Sequence, residues 1–233
     1  MSRDHSQSGW GYGGSRFNTD AEILIVYGNQ ILMSKFPSVA LIVRPGEPAE
    51  QYVEAINHGG GMAVQLGITD SLPDTTGGLL IAGVGAYLGS ENVPLGLLEA
   101  IEDSCPVLGI GWGMHALNVA MGGQPPVKTP GHSSDGKGLC SHPLFMAPGG
   151  KVGYTIAGSG WVMVPSDHTH GLLPAQVANG LLSSVFAGDQ VVEAIEKPGR
   201  EWFIGVQWPA HLVDTTPAGF DSLLLALVER SER

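Results

Sequence analysis

The 233-residue sequence has few cysteines and few basic residues. Its two cysteines, Cys105 and Cys140, rule out a framework of several disulfides and favour free thiols in a reducing compartment. Lys and Arg together number 11 against 22 Asp and Glu, which gives a formal net charge of −11. Such a surface repels phosphate backbones and anionic lipid headgroups, so we expect neither nucleic acid nor a membrane as a partner.

Long apolar runs are also missing. No stretch approaches the roughly 18 uninterrupted apolar residues of a membrane-spanning helix. The segment Met1 to Asp20 is rich in Gly, Ser and Arg and has no apolar core of the kind found in secretory signals. We therefore expect a flexible tail over 1–20, a single domain over 21–233 and a cytoplasmic location. Because 43% of the residues are hydrophobic, that domain can bury one large core.

The first half of the chain alternates short apolar strands with helices. Apolar residues at helical spacing predict helices over 48–58 and 95–102. This alternation predicts an α/β fold with a mostly parallel central sheet and right-handed crossovers. The predicted central strands are Ile23 to Tyr27, Val39 to Val43, Met62 to Leu66, Gly78 to Ala82 and Val107 to Ile110.

The second half has a different pattern. From Gly122 to Gly150 the chain is rich in Gly, Pro, Ser and His, which predicts a long functional loop region. A helix is predicted from about Ala218 to Arg230, and Pro198 with Gly199 predicts the turn of an antiparallel hairpin. The predicted strands of this half are Lys151 to Ile156, Trp161 to Pro165, Val191 to Glu196 and Trp202 to Trp208.

Residues 106–123 read PVLGIGWGMHALNVAMGG, a strand, a tight turn and a helix in succession. The segment resembles the nucleophile turn of class I glutamine amidotransferases, nearest to the γ-glutamyl-γ-aminobutyrate hydrolase (peptidase C26) type. Three other segments agree in order and spacing: Tyr52 to Gly60 with the first helix, Val164 to Gly171 with the Ser-x-His-His-Gln strand end, and Gly205 to Trp208 with the last catalytic strand. The resemblance implies a flavodoxin-like sheet with helices on both faces and antiparallel strands near the C-terminus.

The same segments lack the catalytic triad of that family. Its cysteine nucleophile falls on Gly111, its histidine base on Pro209 and its orienting glutamate on His211. Amide cleavage through a thioester needs a thiolate activated by an imidazole, and neither group stands at its position. Glycine adopts the strained turn without a Cβ, so Gly111 retains the turn without the reagent. We therefore predict that the protein is not a cysteine-dependent glutaminase or γ-glutamyl hydrolase.

The resemblance also implies a substrate pocket beside this turn. The family stabilises the developing oxyanion with backbone N–H groups, which survive changes of side chain, so a pocket for an anion or a carbonyl group is predicted here. The alternative is a tight strand-to-loop turn with no binding role. The predicted substrate-binding residues are Gly83, Val84, Gly111, Trp112, Ser166 and Asp167.

Four histidines are predicted to take over as acid–base groups. By the resemblance, His115 follows the Gly111 turn, His168 matches the first His of Ser-x-His-His-Gln, and His211 replaces the triad acid. His170 lies two residues after His168, so in an extended strand both side chains point the same way. Imidazole is suited to moving protons near neutral pH, which makes these four residues the predicted catalytic groups. The alternative is that each forms local hydrogen bonds in a polar cleft.

No cofactor is expected, but a divalent metal such as zinc is an alternative to acid–base chemistry. His168 and His170 together with His211, or with Asp167, would supply three protein ligands and an open position. The remaining histidines lie in a tail, at a helix end or in loops and receive no role: His5, His58, His132 and His142.

Two classes of function remain open. The first is a repurposed enzyme that binds a small carboxylate, amide or amino-acid-derived substrate and catalyses proton transfer, elimination, cyclisation or hydrolysis without an acyl-enzyme. Cys140 is a further candidate for a relocated thiolate, although its neighbour His142 is adjacent in sequence, where suitable geometry is rare. The second is a pseudoenzyme with a binding or scaffolding role, since one fold hosts many functions. The first class implies a small-molecule substrate and the second an active synthase or sensor as partner, and the assembly would be a homodimer or a complex with a partner synthase subunit.

Overall fold

The N-terminal part of the chain forms a β-hairpin. The computed structural model describes residues 22–27, 30–89, 92–134, 138 and 140–232, with the backbone alone for 22–27 and 30–35. The described residues up to Phe36 form one compact unit, and the described residues from Pro37 onward form a second. In the first unit, β1 (Glu22–Tyr27) pairs antiparallel with β2 (Gln30–Lys35).

The hairpin corrects one strand prediction. A strand is present at Ile23 to Tyr27, but it pairs with the segment that follows it and is not a strand of the main sheet. The predicted tail lies outside the described residues, and the domain boundary between residues 20 and 21 stays a prediction.

The second unit contains a nine-stranded sheet within the described part of the chain. Its strands are β3 (Ser38–Val43), β4 (Met62–Leu66), β5 (Gly78–Gly83), β6 (Val107–Gly111), β8 (Cys140–Met146), β9 (Gly160–Ser166), β11 (Leu182–Ala187), β12 (Val192–Glu196) and β13 (Phe203–Val206). A separate two-stranded sheet consists of β7 (Val127–Lys128) and β10 (His170–Gly171). The helices are α1 (Glu50–His58), α2 (Leu95–Glu102), α3 (Trp112–Ala120), α4 (Lys151–Ile156) and α5 (Ser222–Arg230), with a 3-10 turn at Pro174–Gln176.

The strand order of the main sheet is β4-β3-β5-β6-β13-β12-β11-β8-β9. The first five strands are parallel, and helices separate β3 from β4, β5 from β6 and β6 from the later strands. Strands β3, β5 and β6 are buried along their whole length, as expected for apolar strands covered on both faces. The predicted α/β fold with a mostly parallel central sheet is confirmed.

The remaining strands form the antiparallel half of the sheet. The chain reverses between β12 and β13 around Pro198 and Gly199, so the predicted hairpin is confirmed. The last strand in the sequence, β13, lies in the centre of the sheet, parallel to β6 on one side and antiparallel to β12 on the other.

Two predictions in this half are wrong. The segment Lys151–Ile156 is a helix and not a strand, because the carboxylate of Glu196 accepts hydrogen bonds from the backbone N–H groups of Lys151 (2.8 Å) and Val152 (3.1 Å). An acidic group at this end satisfies the first free N–H groups of a helix and complements its dipole. The region Gly122 to Gly150 is not all loop, because it contains β7 and the seven-residue strand β8.

Apolar side chains cover both faces of the sheet. One face packs against α1, α4 and α5, through residues such as Ile56, Leu223 and Leu227, and the other packs against α2 and α3, through Leu97 and Leu117. Within the described ranges, the helices are too short or too polar to cross a membrane.

Candidate functional site

The turn between β6 and α3 requires glycine. Gly111 ends β6 with φ 55° and ψ −109°, and α3 begins at the next residue. A Cβ added at Gly111 would lie 2.5 Å from the backbone oxygen of Gly83, the last residue of the neighbouring strand β5. Both the backbone conformation and the close approach of the two strands therefore exclude a larger residue unless the backbone shifts.

A cavity of about 320 Å³ lies beside this turn, at the carboxyl ends of the parallel strands. Ligands of open α/β sheets commonly bind at this edge. A larger cavity, about 680 Å³, lies beside α4 and contains none of the predicted site residues. Of those residues, the smaller cavity is lined by Gly83, Val84, Gly111, Asp167, His168 and His211.

The backbone N–H of Val84, the predicted oxyanion donor, already has an anionic partner. It donates to both carboxylate oxygens of Glu47, at 2.9 and 2.8 Å. Glu47 lies in the loop between β3 and α1, and Arg44 in the same loop approaches it to 3.5 Å and donates to the Val84 carbonyl at 2.8 Å. A carboxylate of this chain therefore accepts the hydrogen bond that the resemblance had assigned to a substrate oxygen.

His115 is sealed in the protein interior next to the cavity. Its side chain is fully buried on α3, and its Nε2 lies 2.7 Å from the Oε1 of Gln207, which lines the cavity. Burial, partly opposed by this hydrogen bond, lowers the pKa of His115 to about 3. The imidazole is therefore neutral at pH 7 and donates to Gln207, and it does not itself line the cavity.

His211 lines the cavity and packs against an aromatic ring. Its imidazole lies 4.2 Å, centroid to centroid, from the ring of Tyr52 on α1. Burial lowers the pKa of His211 to about 4 and raises that of Tyr52 above its ordinary value, with a further contribution from the nearby Glu47 carboxylate. Both groups are therefore neutral near pH 7. Pro209, which the resemblance aligns with the family's base, also lines the cavity.

His168 lines the same cavity, but its ring nitrogens have other neighbours. The Nδ1 donates to the backbone oxygen of His170 at 2.9 Å, and the buried Nε2 lies 3.4 Å from Glu193. The backbone bends at Thr169, so His168 and His170 do not belong to one continuous extended strand as predicted. His170 lies outside the cavity lining, and its Nδ1 is 3.0 Å from the hydroxyl of Thr169.

Three further residues predicted for the site make other contacts in the structure. Ser166 is buried and its hydroxyl donates to the backbone oxygen of His132 at 2.7 Å. Trp112 packs edge-on against Tyr87 in the core on the α2 and α3 side of the sheet. The thiol of Cys140 donates to the backbone oxygen of Ser166 at 3.2 Å. The side chains of Ser166, Trp112 and Cys140 do not line the cavity.

A cluster of side chains that includes His168, here called the histidine–glutamate cluster, lies at the antiparallel half of the sheet. Its members are His132, after β7, His142 on β8, His168, after β9, and Glu193 on β12. The Oε1 of Glu193 lies 3.4 Å from His132 Nδ1, 3.6 Å from His142 Nε2 and 3.4 Å from His168 Nε2. Burial by itself raises the pKa of the Glu193 carboxyl, but the imidazoles of His132 and His168 outweigh it and lower that pKa to about 2.

This cluster corrects the predicted metal ligands. The structure groups His168 with His132 and His142, two residues that had received no role. Among the described residues, His170 and His211 are not members of this group, although His211 lines the same cavity as His168. The sequence contained one signal for the cluster. Glu193 is an acidic residue between apolar neighbours in a buried strand, and a buried carboxylate requires partners.

Comparison with known proteins now identifies the family. A model of the peptidase C26 family matches residues 91–211, which is just over half of the chain. The chain belongs to the peptidase C26 family. The matched range contains the Gly111 turn, the histidine–glutamate cluster and His211. The resemblance to class I glutamine amidotransferases inferred from the sequence is therefore confirmed.

A curated relative is Rv2859c of Mycobacterium tuberculosis, described as a glutamine amidotransferase. It is 36% identical over 118 residues, which cover 48% of this chain and 37% of that protein. The match therefore spans little more than a third of the length of the relative.

Two solved structures share the fold. A protein from Thermoplasma acidophilum, described as a GMP synthase subunit, superposes with a TM-score of 0.66 at 15% identity over 83% of this chain and 94% of that one. A glutamine amidotransferase from Methylobacillus flagellatus gives a TM-score of 0.56 at 16% identity over 76% of this chain and 73% of that one. At these identities the comparison establishes the class I glutamine amidotransferase fold alone.

Proposed function

We propose that this chain is a ligand-binding member of the peptidase C26 family in which the amide-hydrolysing site has become a binding cavity. The observation that carries this proposal is the pair of hydrogen bonds from the Val84 N–H to the Glu47 carboxylate. A donor that is bonded to a carboxylate cannot stabilise a second negative oxygen, and oxyanion stabilisation is among the largest contributions to amide cleavage.

The groups around this donor support the same conclusion. Gly111 has no nucleophile, and Pro209 has no nitrogen that can accept a proton. His115 and His168 are unsuited to a substitute relay, because His115 is neutral and buried and both nitrogens of His168 face protein groups. A general base must reach the proton that it abstracts, within about 3 Å or through one water.

The charges of the cavity indicate the class of ligand. Glu47 and Asp167 line it, and none of its lining residues is a lysine or an arginine. The Gln207 amide and the Tyr52 side chain add neutral polar groups. Small-molecule sites use a few polar groups to orient the ligand, so we propose a small amine or amino-acid-derived molecule that presents a cationic group to Glu47 and Asp167.

Binding and turnover measurements on the full chain test this proposal. We expect no ammonia release from glutamine or γ-glutamyl amides and no adduct by intact-mass measurement after treatment with a glutamine-analogue electrophile. In calorimetric titrations, small primary amines should bind more tightly than carboxylates of similar size. Glu47→Gln should weaken amine binding at least about tenfold, because it removes the charge that faces the ligand.

The matched control is Glu50→Gln, since Glu50 is an exposed carboxylate on α1 outside the cavity. It should leave binding unchanged. A stoichiometric adduct, measurable amidase turnover or a preference for carboxylates would each contradict the proposal.

The second candidate function is histidine acid–base catalysis on a small substrate, and the contact between His211 and Tyr52 favours it. A neutral imidazole beside a cavity can accept a proton, and its lowered pKa makes it a weak base. This candidate predicts that an amine or amide ligand is consumed and that His211→Ala abolishes its consumption without weakening binding. Binding without consumption would exclude it.

The proposed assembly is based on one structural neighbour. One structural neighbour is described as a synthase subunit, so we propose either a partner synthase subunit or a homodimer for this chain. We also propose a cytoplasmic location, which fits a sequence with only two cysteines, Cys105 and Cys140. Light scattering on the purified chain, alone and with candidate synthases, would distinguish a homodimer from a chain that requires a partner.

A further inference from the structure

The histidine–glutamate cluster brings together four segments that are distant in sequence. His132 and His168 lie in loops, and His142 and Glu193 lie on strands that are not neighbours in the sheet. A register shift in the pairing of β11 with β12 leaves Glu193 as an extra residue between Val192 and Ala194. Such bulges redirect a side chain, and here the carboxylate is surrounded by three imidazoles.

The polar atoms of this cluster lack ordinary partners. His132 Nδ1, His142 Nε2, His168 Nε2 and Glu193 Oε1 are buried and have no hydrogen-bond partner among the described residues. The side chains of His132, His168 and Glu193 are 6%, 5% and 1% exposed. Unpaired polar atoms at this depth are costly, and four of them that point at one another indicate a missing common partner.

The distances distinguish a metal site from a set of ion pairs. Charge-assisted hydrogen bonds between an imidazole and a carboxylate are about 2.7–2.9 Å long, and the bond from His132 Nε2 to Asp189 is 2.9 Å. The three distances from Glu193 Oε1 are 3.4, 3.6 and 3.4 Å. Metal–ligand bonds of about 2.0–2.1 Å separate neighbouring ligands of a tetrahedron by about 3.3–3.4 Å. The carboxylate oxygen thus lies one tetrahedral edge from each imidazole.

We propose that His132 Nδ1, His142 Nε2, His168 Nε2 and Glu193 Oε1 bind one Zn²⁺ ion. All four ligand atoms lie within 4.8 Å of one another, so a modest contraction of the nitrogens completes the tetrahedron. Three neutral imidazoles and one carboxylate form a donor set that suits Zn²⁺.

Hydrogen bonds from outside the cluster orient two of the ligands. Asp189 accepts from the far nitrogen of His132 at 2.9 Å, and the backbone oxygen of His170 accepts from the far nitrogen of His168 at 2.9 Å. Each bond leaves the other nitrogen with its lone pair directed at the cluster, as metal-bound histidines require. Four protein ligands and deep burial leave no open position, so the site is structural and joins the loops after β7 and β9 to the sheet.

Metal analysis of the full chain tests this assignment. Purified protein loaded with zinc and dialysed should contain one equivalent by mass spectrometry, and Co²⁺ in its place should give the strong visible absorption of tetrahedral coordination. A chelator should lower the melting temperature, because an ion bound only by the folded state stabilises it. Less than one equivalent of zinc, or a six-coordinate Co²⁺ spectrum, would overturn the proposal.

Substitutions locate the site. Glu193→Gln and His142→Ala should each weaken zinc binding by at least about 100-fold, and Asp189→Ala, which removes an orienting bond, by about 10–100-fold. His170→Ala and His58→Ala are the matched controls, because one lies beside the cluster and the other on α1 and neither side chain contributes a ligand. Zinc affinity unchanged in Glu193→Gln, or lost equally in His170→Ala, would refute the ligand set. The cobalt spectrum of the unaltered chain keeps the test valid if a variant does not fold.

Discussion

Adding one methyl group at the Gly111 turn should destabilise the fold. In Gly111→Ala the new Cβ would lie 2.5 Å from the backbone oxygen of Gly83, and φ at Gly111 is +55°. An unfavourable backbone conformation costs about 1–3 kcal/mol, and an overpacked contact costs a further 1–3 kcal/mol, roughly. The free energy of unfolding should therefore fall by about 2–6 kcal/mol, which corresponds to a decrease of about 4–24 °C in melting temperature for a chain of this size.

Two other glycines separate the contributions. Gly122 has φ +91° and Gly188 has an ordinary φ, and an added Cβ would meet nothing within 4 Å at either position. In urea and thermal unfolding, Gly122→Ala should show the backbone cost alone, and Gly188→Ala should be nearly neutral. If Gly111→Ala is no less stable than Gly122→Ala, the two strands leave room for a side chain and our explanation of Gly111 is refuted. Gly111→Cys should likewise lose stability and gain no amidase activity, because Pro209 cannot accept a proton.

Two further predictions concern buried polar side chains. Burial lowers the pKa of His115 to about 3, whereas the unfolded chain takes up this proton near 6.5, so stability should fall by about 1.4 kcal/mol for each pH unit between 6.5 and 3. In chemical unfolding at several pH values, the free energy of unfolding of His115→Gln, which keeps an amide opposite Gln207, should fall less steeply with decreasing pH than that of the unaltered chain. Equal pH dependence in the two proteins would contradict this account. Asn118 is fully buried and bonds three backbone groups at 2.9 Å, including the Ala178 N–H. Asn118→Ala should lower the free energy of unfolding by about 2–5 kcal/mol. The control is Asn57→Ala, at an exposed position, which should change it very little. Comparable losses in the two variants would show that the three bonds contribute little.

Local sequence patterns were sufficient for the parallel half of the fold. Strands such as Met62–Leu66 and Gly78–Gly83 are short apolar runs between turn residues, and the helix Leu95–Glu102 has its apolar residues at helical spacing. These elements depend on their own residues, so a period of two or of 3.6 predicts them. The helix Lys151–Ile156 depends instead on the carboxylate of Glu196, which lies 44 residues or more along the chain and leaves no local pattern.

The candidate site was predictable only where a family motif marked it. The resemblance located Gly111, His168 and His211 beside one cavity, and the structure places all three there; their predicted roles stay predictions. The resemblance could not predict that the Glu47 carboxylate accepts a hydrogen bond from the Val84 N–H, because that contact depends on how the loop after β3 folds back. The histidine–glutamate cluster had no regular ligand spacing to reveal it, since its members come from four separate segments.

The central position of β13 determines the order in which this domain can be completed. Residues Phe203–Val206 join β6 to β12, so neither half of the sheet has its inner neighbour until residue 206 has been synthesised. Until then, the exposed edge of β6 is an apolar strand with unpaired backbone groups, which is the kind of surface that other chains can extend. Nascent or truncated chains that end before Phe203 should therefore aggregate or engage chaperones, even though every strand of the parallel half upstream of β13 is already present.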